Sequence, residues 1–164
     1  MFSWIGKSGG VAAVSDTKTP MDYVLGCALD DRERSVVVIQ KTKPDWQKGK
    51  WNLIGGKIEP TDESPVAAMA REFKEETDVD IPALHWYDLA TVKARYGNMH
   101  VFYTTDYKVH LARTVEEEIV MVRPIEQVLA DDLTLPSLKF YIPLVLERHR
   151  GLLLPVYLEY KSVY

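Results

Sequence analysis

The chain has 164 residues, 46% of them hydrophobic, and a formal net charge of −4. A chain of this size buries one substantial core without disulfides or metals, so we expect a single domain over residues 1–164. The acidic balance argues against a general binder of nucleic acid or of membrane surfaces, because both functions need a basic face.

The one cysteine, Cys27, lies in the apolar stretch VLGCAL. No intrachain disulfide can form, and we expect this thiol to be buried. The N-terminal stretch lacks the apolar core of a secretory signal, and no apolar run approaches the roughly 18 to 20 residues of a membrane span. These patterns predict a cytoplasmic protein with no membrane partner.

Two strands are expected near the start of the chain. Residues 22–30 and 34–41 are apolar, β-branched runs separated by a charged turn, which is typical of an antiparallel pair. Residues 42–52 are polar and contain a proline and a glycine, which predicts a loop that carries Trp46 and Trp51. Tryptophans on such a loop are candidate ligand contacts, although tryptophan more often packs in a core.

One helix is indicated at residues 64–77. Ser64 provides an N-cap, Pro65 fits the first turn, and apolar residues recur at helical spacing until Asp78.

The second half of the chain contains further strands and a second helix. Two strand-like runs flank Gly97-Asn98, which predicts a hairpin closed by these two residues, and residues 118–123 predict another strand. A helix is expected to open at Ser137, to be interrupted or bent at Pro143, and to end at Gly151. The order of these elements predicts an α+β fold, in which helices pack on a mixed sheet.

The first helix carries three acids, Glu72, Glu75 and Glu76, within an arc of about 100°. Like charges at this spacing repel by roughly 0.2–0.5 kcal/mol per pair, and a bound divalent cation would remove the conflict. Oxygen ligands without nearby His or Cys favour Mg²⁺, with Mn²⁺ as a substitute. The alternative is a solvated helix face, on which Arg71 pairs with Glu75 at i,i+4.

Gly55 and Gly56 precede this helix. Glycine lets the backbone approach a metal or a phosphate and present a bare carbonyl, and Lys57 adds a cation beside it. The glycines therefore favour a ligand site over a solvated face.

The stretch from Gly56 to Val79 resembles the Nudix box: a glycine, five residues, a glutamate, seven residues, then Arg-Glu-apolar-x-Glu-Glu-x-Gly-apolar. Gly56 and Glu63 match its first two anchors, and the run that starts at Arg71 matches its core. Two departures are present: six residues separate Gly56 from Glu63, and Asp78 stands where the family has glycine. We expect a one-residue bulge at residues 60–62 and a left-handed cap conformation at Asp78.

The resemblance implies an α/β/α sandwich with a mixed sheet. It also implies a Mg²⁺-dependent enzyme that hydrolyses a pyrophosphate linkage in a nucleoside diphosphate derivative. On this resemblance, the metal ligands are Glu72, Glu75, Glu76 and the carbonyl of Gly56. Arg71 would orient the catalytic Glu72, and Glu63 would hold the loop by pairing with Arg71.

The general base is left open by the resemblance. It is either a box glutamate or an acid on a later loop, for which the candidates are Glu116, Glu117 and Glu118. We take Glu117 as the representative of this acidic run. Each of these acids could equally be a solvated charge at a strand entrance.

The substrate is indicated by the residues beside the glycines. Trp51-Asn52 before Gly-Gly-Lys resembles a segment of the Nudix triphosphatases that remove oxidised purine nucleotides, in which the asparagine helps bind the base. This resemblance implies nucleoside triphosphates with a purine preference and a base contact from Asn52. Trp46 and Trp51 are candidates to stack on the base, and Lys57 is the substrate-binding cation beside the glycines. The acid pair by which those enzymes bind an oxidised base is not present at the start of the last helix, where Pro136-Ser137-Leu138 stands.

Other substrates within the family stay open. Tyr96 lies near the position of a tyrosine in the dinucleoside polyphosphate hydrolases of the family, so such compounds and ADP-ribose-type conjugates are alternatives. A non-catalytic nucleotide-binding module is a further alternative. The family is compatible with a homodimer, and we expect no extended nucleic acid as a partner.

Overall fold

The computed structural model describes residues 20–94, 97–148 and 154–159. The strands in these ranges are β1 (Tyr23–Leu29), β2 (Ser35–Gln40), β3 (Trp51–Asn52), β4 (Tyr87–Ala94), β5 (Gly97–Thr105), β6 (Ile119–Pro124) and β7 (Val156–Glu159). The helices are α1 (Pro65–Thr77), α2 (Ile125–Ala130) and α3 (Leu138–Glu147). The strand order is β3-β2-β1-β5-β4-β7, and β6 pairs with β2. The β1–β5 and β4–β7 pairs are parallel and the others are antiparallel, so the sheet is mixed.

Both faces of the sheet are covered. Along β1, Leu25 and Cys27 face a core built with α2 and α3, whereas Val24 and Ala28 face a second core built with α1. This alternation follows from the two-residue period of a strand, and the apolar run is continuous because both faces are buried. The predicted α/β/α sandwich is confirmed, and Cys27 is fully buried as expected.

The first helix forms where the sequence predicted it. The Ser64 hydroxyl accepts a hydrogen bond from the backbone N–H of Ala67 at 3.2 Å, which caps the start of α1. Asp78 ends α1 in the left-handed conformation, with φ of 60°, and its N–H donates to the Lys74 carbonyl. The prediction for Asp78 is therefore confirmed.

Three local predictions are corrected. Gly97 and Asn98 lie inside β5 and pair with β4, so the hairpin exists but these residues do not close it. Trp51 and Asn52 form the short strand β3 and are not part of a loop. Helix α3 continues through Pro143 and ends at Glu147, and the predicted end at Gly151 lies outside the described residues.

The glycine segment before α1 is fastened to the centre of the sheet. The N–H groups of Val24 and Gly26 donate to the carbonyls of Gly56 and Ile54, at 2.9 and 2.8 Å. A Cβ on Gly26 would overlap the Met69 side chain of α1, so the helix packs closely against β1. The loop and the helix are thus held in a fixed relation by the same strand.

Within the described ranges, no helix has both the length and the apolar character needed to cross a membrane.

Candidate active site

Gly56 lies directly against an acid of α1. A Cβ at this position would overlap the Glu72 carboxyl group, so only glycine allows the loop and the helix to come this close. The Gly56 carbonyl accepts a hydrogen bond from Val24, and its second lone pair is available to a ligand. The glycine therefore lets the loop backbone pack directly against the Glu72 carboxylate.

Arg71 connects most of the acids at this end of α1. Its Nε and Nη2 each donate to one oxygen of Asp62, both at 2.9 Å, and this is a bidentate pair. Its Nη1 donates to Glu72 and to Glu75, also at 2.9 Å, and its Nη2 donates to the Lys57 carbonyl at 3.0 Å. One guanidinium thus offsets the repulsion between the carboxylates and ties α1 to the glycine loop.

The acid that holds Arg71 is Asp62, and the sequence prediction of Glu63 is wrong. Asp62 is only 6% exposed, and the hydrogen bond from Arg71 holds the pKa of its carboxyl below the usual range. Glu63 is exposed to solvent. Asp62 follows Gly56 after five residues, which is the spacing of the motif, so the signal was present in the sequence.

Glu72 and Glu76 are the partly buried acids of the helix, whereas Glu75 is exposed. Burial raises the pKa of Glu76 to about 7, whereas Lys41 and the N–H of Gly55 act in the opposite direction. Burial also raises the pKa of Glu72, against the effect of Arg71. The Oε2 atom of Glu76 is buried and has no hydrogen-bond partner among the described residues. An orphaned carboxylate oxygen, beside other acids and without His or Cys, fits a hard divalent cation.

A different group already has the spacing of metal ligands. Ligand atoms of Asp30, Asp31 and His110 lie within 4.8 Å of one another, whereas the box glutamates do not form such a group among the described residues. Asp30 accepts hydrogen bonds from the N–H groups of Arg34 and Ser35, at 2.6 and 2.9 Å. These bonds fasten the turn after β1, which explains Asp30 without a metal.

An acid from the loop before β6 reaches the same region. Glu118 pairs with Lys41 and accepts a hydrogen bond from the N–H of Thr42 at 2.6 Å. Burial would raise the pKa of Glu118, but these hydrogen bonds and the charge of Lys41 bring it below its usual value. The negative charge of Glu118 also raises the pKa of Glu76, so the two carboxylates are close enough to repel each other. Glu117 is exposed and lines a separate small cleft.

A cavity of about 480 Å³ lies on the other side of β1 from α1. Its lining combines side chains of β1, β5, α3 and the loop before β3, and none of the lining residues is charged: Met21, Tyr23, Leu25, Trp46, Gln47, Asn52, Val92, Gly97, Asn98, Met99, Leu135, Pro136, Ser137 and Tyr141. The surface is mostly apolar with several amide and hydroxyl groups, as expected of a site for a neutral ring system.

The structure brings some of the expected substrate contacts to this cavity. Trp46, which is 65% exposed, and Asn52 both line it. Lys57 is exposed beside the glycine loop and does not line the cavity. Trp51 is corrected to a packing residue, because it is only 9% exposed and is covered by Arg123, whose guanidinium lies 5.0 Å from the ring centre.

One predicted residue of this region is not described by the structure, and three residues were not predicted. Tyr96 lies outside the described residues. Gln47, Asn98 and Lys41 take part in the site but were not predicted. Gln47 stands beside a predicted ligand residue, Trp46, so its position was a usable signal. Lys41 and Asn98 reach the site through sheet pairing, which the linear sequence does not display.

A partly buried carboxylate cluster on a helix, packed against a glycine loop and beside a neutral cavity, is typical of a metal-dependent site for a phosphorylated compound. Residues 20–142 match the family model described as NUDIX domain. The chain therefore belongs to the Nudix hydrolase family, whose enzymes cleave phosphoanhydride bonds and generally use divalent metals.

Known relatives agree with this assignment. The chain is 27% identical over 101 residues to CTP pyrophosphohydrolase of Escherichia coli (strain K12), a match over 60% of this chain and 74% of that protein. The NUDIX domain of Shewanella oneidensis NrtR complexed with ADP ribose aligns with a TM-score of 0.61 at 22% identity, over 80% of this chain and 90% of that one. A MutT/nudix family protein from Listeria innocua aligns with a TM-score of 0.62 at 17% identity, over 81% and 96%. At these identities the two structures show the shared fold.

Replacing Asp62 by Asn should lower activity, because the neutral amide cannot form the bidentate ion pair that positions Arg71. We expect a loss of roughly 10- to 100-fold in kcat/KM or in metal affinity, as is usual for groups that orient metal ligands. Glu63→Gln is the matched control and should stay close to the wild type. Steady-state kinetics with circular dichroism as a folding check would test this, and equal losses in both variants would contradict the role of Asp62.

Glu76→Gln should stabilise the protein in the absence of metal at neutral and alkaline pH. The folded state binds the Glu76 proton more tightly than the unfolded state does, so the wild type loses stability as the pH rises from about 4.5 to about 7. A glutamine does not ionise, so the variant should be more stable by about 1–3 kcal/mol above pH 7 and similar at pH 4.

Urea denaturation in EDTA at a series of pH values would measure this difference. Glu75→Gln is the control, because Glu75 is 54% exposed and its loss should produce no such trend with pH. Added Mg²⁺ should reverse the order by stabilising the wild type more than Glu76→Gln. A constant difference between wild type and Glu76→Gln across this pH range would show that the buried charge is not destabilising.

Proposed function

We propose that the chain hydrolyses nucleoside triphosphates with a purine preference, in a reaction that requires Mg²⁺. The observation that carries this proposal is the position of the neutral cavity next to the glycine loop. Tyr23 and Leu25 of β1 line the cavity, and Val24 between them is hydrogen bonded to Gly56. A substrate with its base in the cavity would place its phosphates over this loop and α1.

The residues at the phosphate end match the needs of phosphoanhydride hydrolysis. Mg²⁺, or Mn²⁺ in its place, would be held by Glu72, Glu75, Glu76 and the Gly56 carbonyl. The bound ion would supply positive charge for the phosphate oxygens and would lower the pKa of a bound water. Arg71 would keep Glu72 in place, and the hydrogen bond from its Nη1 to the Glu72 carboxylate supports this role. The exposed Lys57 adds a positive charge for the phosphates.

An acid on the loop before β6 is suited to accept the proton of the attacking water. Glu118 is a better candidate than Glu117, because it is nearly buried and acts on the charge of Glu76. Its lowered pKa keeps it ionised at neutral pH. Lys41 and Thr42 hold this carboxylate in position.

The residues that line the neutral cavity favour the binding of an unmodified base over an oxidised base. Ser137 lines the cavity where the related oxidised-purine enzymes carry an acid. Asp131 accepts hydrogen bonds from Arg123 and from the N–H of Leu133, and neither Asp131 nor Asp132 lines the cavity. Trp46 at the rim is placed to stack on a base.

A pyrimidine triphosphate is the second candidate, since the E. coli relative is named for CTP. The cavity supports either class, because its polar groups are neutral amides and hydroxyls.

The proposal is tested by incubating the protein with ATP, GTP, CTP, UTP, ADP-ribose, diadenosine tetraphosphate and 8-oxo-dGTP, with and without Mg²⁺. We expect a nucleoside monophosphate and pyrophosphate from purine triphosphates, only when Mg²⁺ is present. Products from CTP alone would support the second candidate. Cleavage of a conjugate alone, or binding without any product, would overturn the triphosphate assignment.

Glu118→Gln should lower kcat by about 10² to 10⁴, because proton transfer to a positioned carboxylate contributes a factor of this size. Glu117→Gln, one residue away and exposed, should retain kcat within a few fold. Single-turnover rates at saturating Mg²⁺ would separate the chemical step from product release. A large loss in Glu117→Gln with normal turnover in Glu118→Gln would reverse the assignment.

A further inference from the structure

Two amide side chains, those of Gln47 and Asn52, form a hydrogen-bonded pair in the wall of the neutral cavity. The Asn52 Oδ1 accepts from the backbone N–H of Leu53 at 2.8 Å, and the Asn52 Nδ2 donates to the Gln47 Oε1 at 3.1 Å. Both side chains line the cavity and are partly buried.

One backbone group fixes the orientation of both amides. The Leu53 N–H can only donate, so the Asn52 atom that faces it must be the oxygen. The Asn52 amide nitrogen then faces Gln47, and the Gln47 side chain must accept this hydrogen bond through its oxygen. The Gln47 amide nitrogen is left over, and no oxygen among the described residues accepts a hydrogen bond from it.

The backbone that carries Gln47 is held in place before any ligand binds. Gln47 N–H donates to the Pro44 carbonyl and its own carbonyl accepts from Lys50, both at 2.8 Å. The Gly49 N–H donates to the Lys41 carbonyl at 2.7 Å, which closes the loop onto the end of β2. The position of the free amide group is therefore set by the fold and costs little ordering when a ligand arrives.

The other amide in the cavity is directed elsewhere. Asn98 donates through both its backbone N–H and its Nδ2 to the Asp22 carboxylate, at 2.7 and 3.4 Å. The cavity lining contains no Lys, Arg or His, and among its three side-chain amides only that of Gln47 has a nitrogen without an acceptor among the described residues.

We propose that Gln47 selects the base by donating a hydrogen bond to a ring carbonyl oxygen, so that the cavity prefers 6-oxopurine nucleotides over adenine nucleotides. The inference rests on the proposed function, because it takes the cavity as the base site. Hypoxanthine and adenine share the purine ring and differ along one edge: position 6 has a carbonyl acceptor in hypoxanthine and an amino donor in adenine, and N1 carries a hydrogen in hypoxanthine only. If the amino group of adenine faced the Gln47 N–H, two hydrogen-bond donors would be left without acceptors. Leaving these donors unpaired in the cavity weakens the binding of adenine nucleotides.

The test measures binding of IMP, GMP and AMP by calorimetry without metal, so that it does not depend on turnover. The wild type is expected to bind IMP and GMP at least about tenfold more tightly than AMP. Gln47→Glu keeps the acceptor for Asn52 and removes the free donor, so it should bring the IMP-to-AMP affinity ratio to within about twofold. Gln47→Met, which carries no added charge, should do the same and shows that charge is not the cause.

Asp45→Asn is the matched control, because Asp45 is exposed in the same loop and does not line the cavity. This variant should keep the wild-type ratio. Equal affinity of the wild type for IMP and AMP, an unchanged ratio in Gln47→Glu, or no detectable IMP binding would overturn the role of Gln47.

The two proposals fail in distinguishable ways. Loss of discrimination in Gln47→Glu, in a protein that hydrolyses no triphosphate, would support Gln47 and refute the proposed reaction. Hydrolysis of ITP and ATP with equal kcat/KM in the wild type would support the reaction and refute the selection by Gln47.

Discussion

The contact of the Arg71 guanidinium with three carboxylates is the interaction on which the site depends. A helix that carries several acids toward one place would be destabilised by their repulsion, and partial burial would make this worse. The positive charge of Arg71 offsets both effects, because its guanidinium binds Asp62 from the loop together with Glu72 and Glu75 from the helix. The same group bonds the Lys57 carbonyl, so the backbone of the glycine loop is fixed by the charge network as well.

This network also explains how the chain tolerates an extra residue in its motif. Asp62 keeps the spacing from Gly56, and the additional residue falls between Asp62 and the helix cap at Ser64. Glu63 is therefore turned out to solvent, where an added residue has little effect. The close packing of Gly56 on Glu72, which could not accept a displacement, is left undisturbed.

The sequence correctly predicted the features that depend on the preferences of individual residues. The cap at Ser64 and the left-handed Asp78 follow from preferences of single residues, and both were predicted from the sequence. The packing role of Trp51 was not predicted, because a tryptophan in a polar segment is equally compatible with a ligand contact and with a core. Only the sheet pairing decides between them. The incorrect prediction of Glu63 has a different cause. Matching the motif by residue type favoured the glutamate, whereas in the structure the Arg71 side chain binds the aspartate at position 62.

The two ends of the site are built from separate parts of the chain. Trp46 and Gln47 come from the loop between β2 and β3, whereas the acids come from α1 and its approach, with β1 between them. On the proposed function, substitutions in that loop would change which base is accepted while the residues proposed for hydrolysis remain as they are. Such modularity gives evolution a short route to new substrates, because specificity can drift in one segment while selection preserves the chemistry in another.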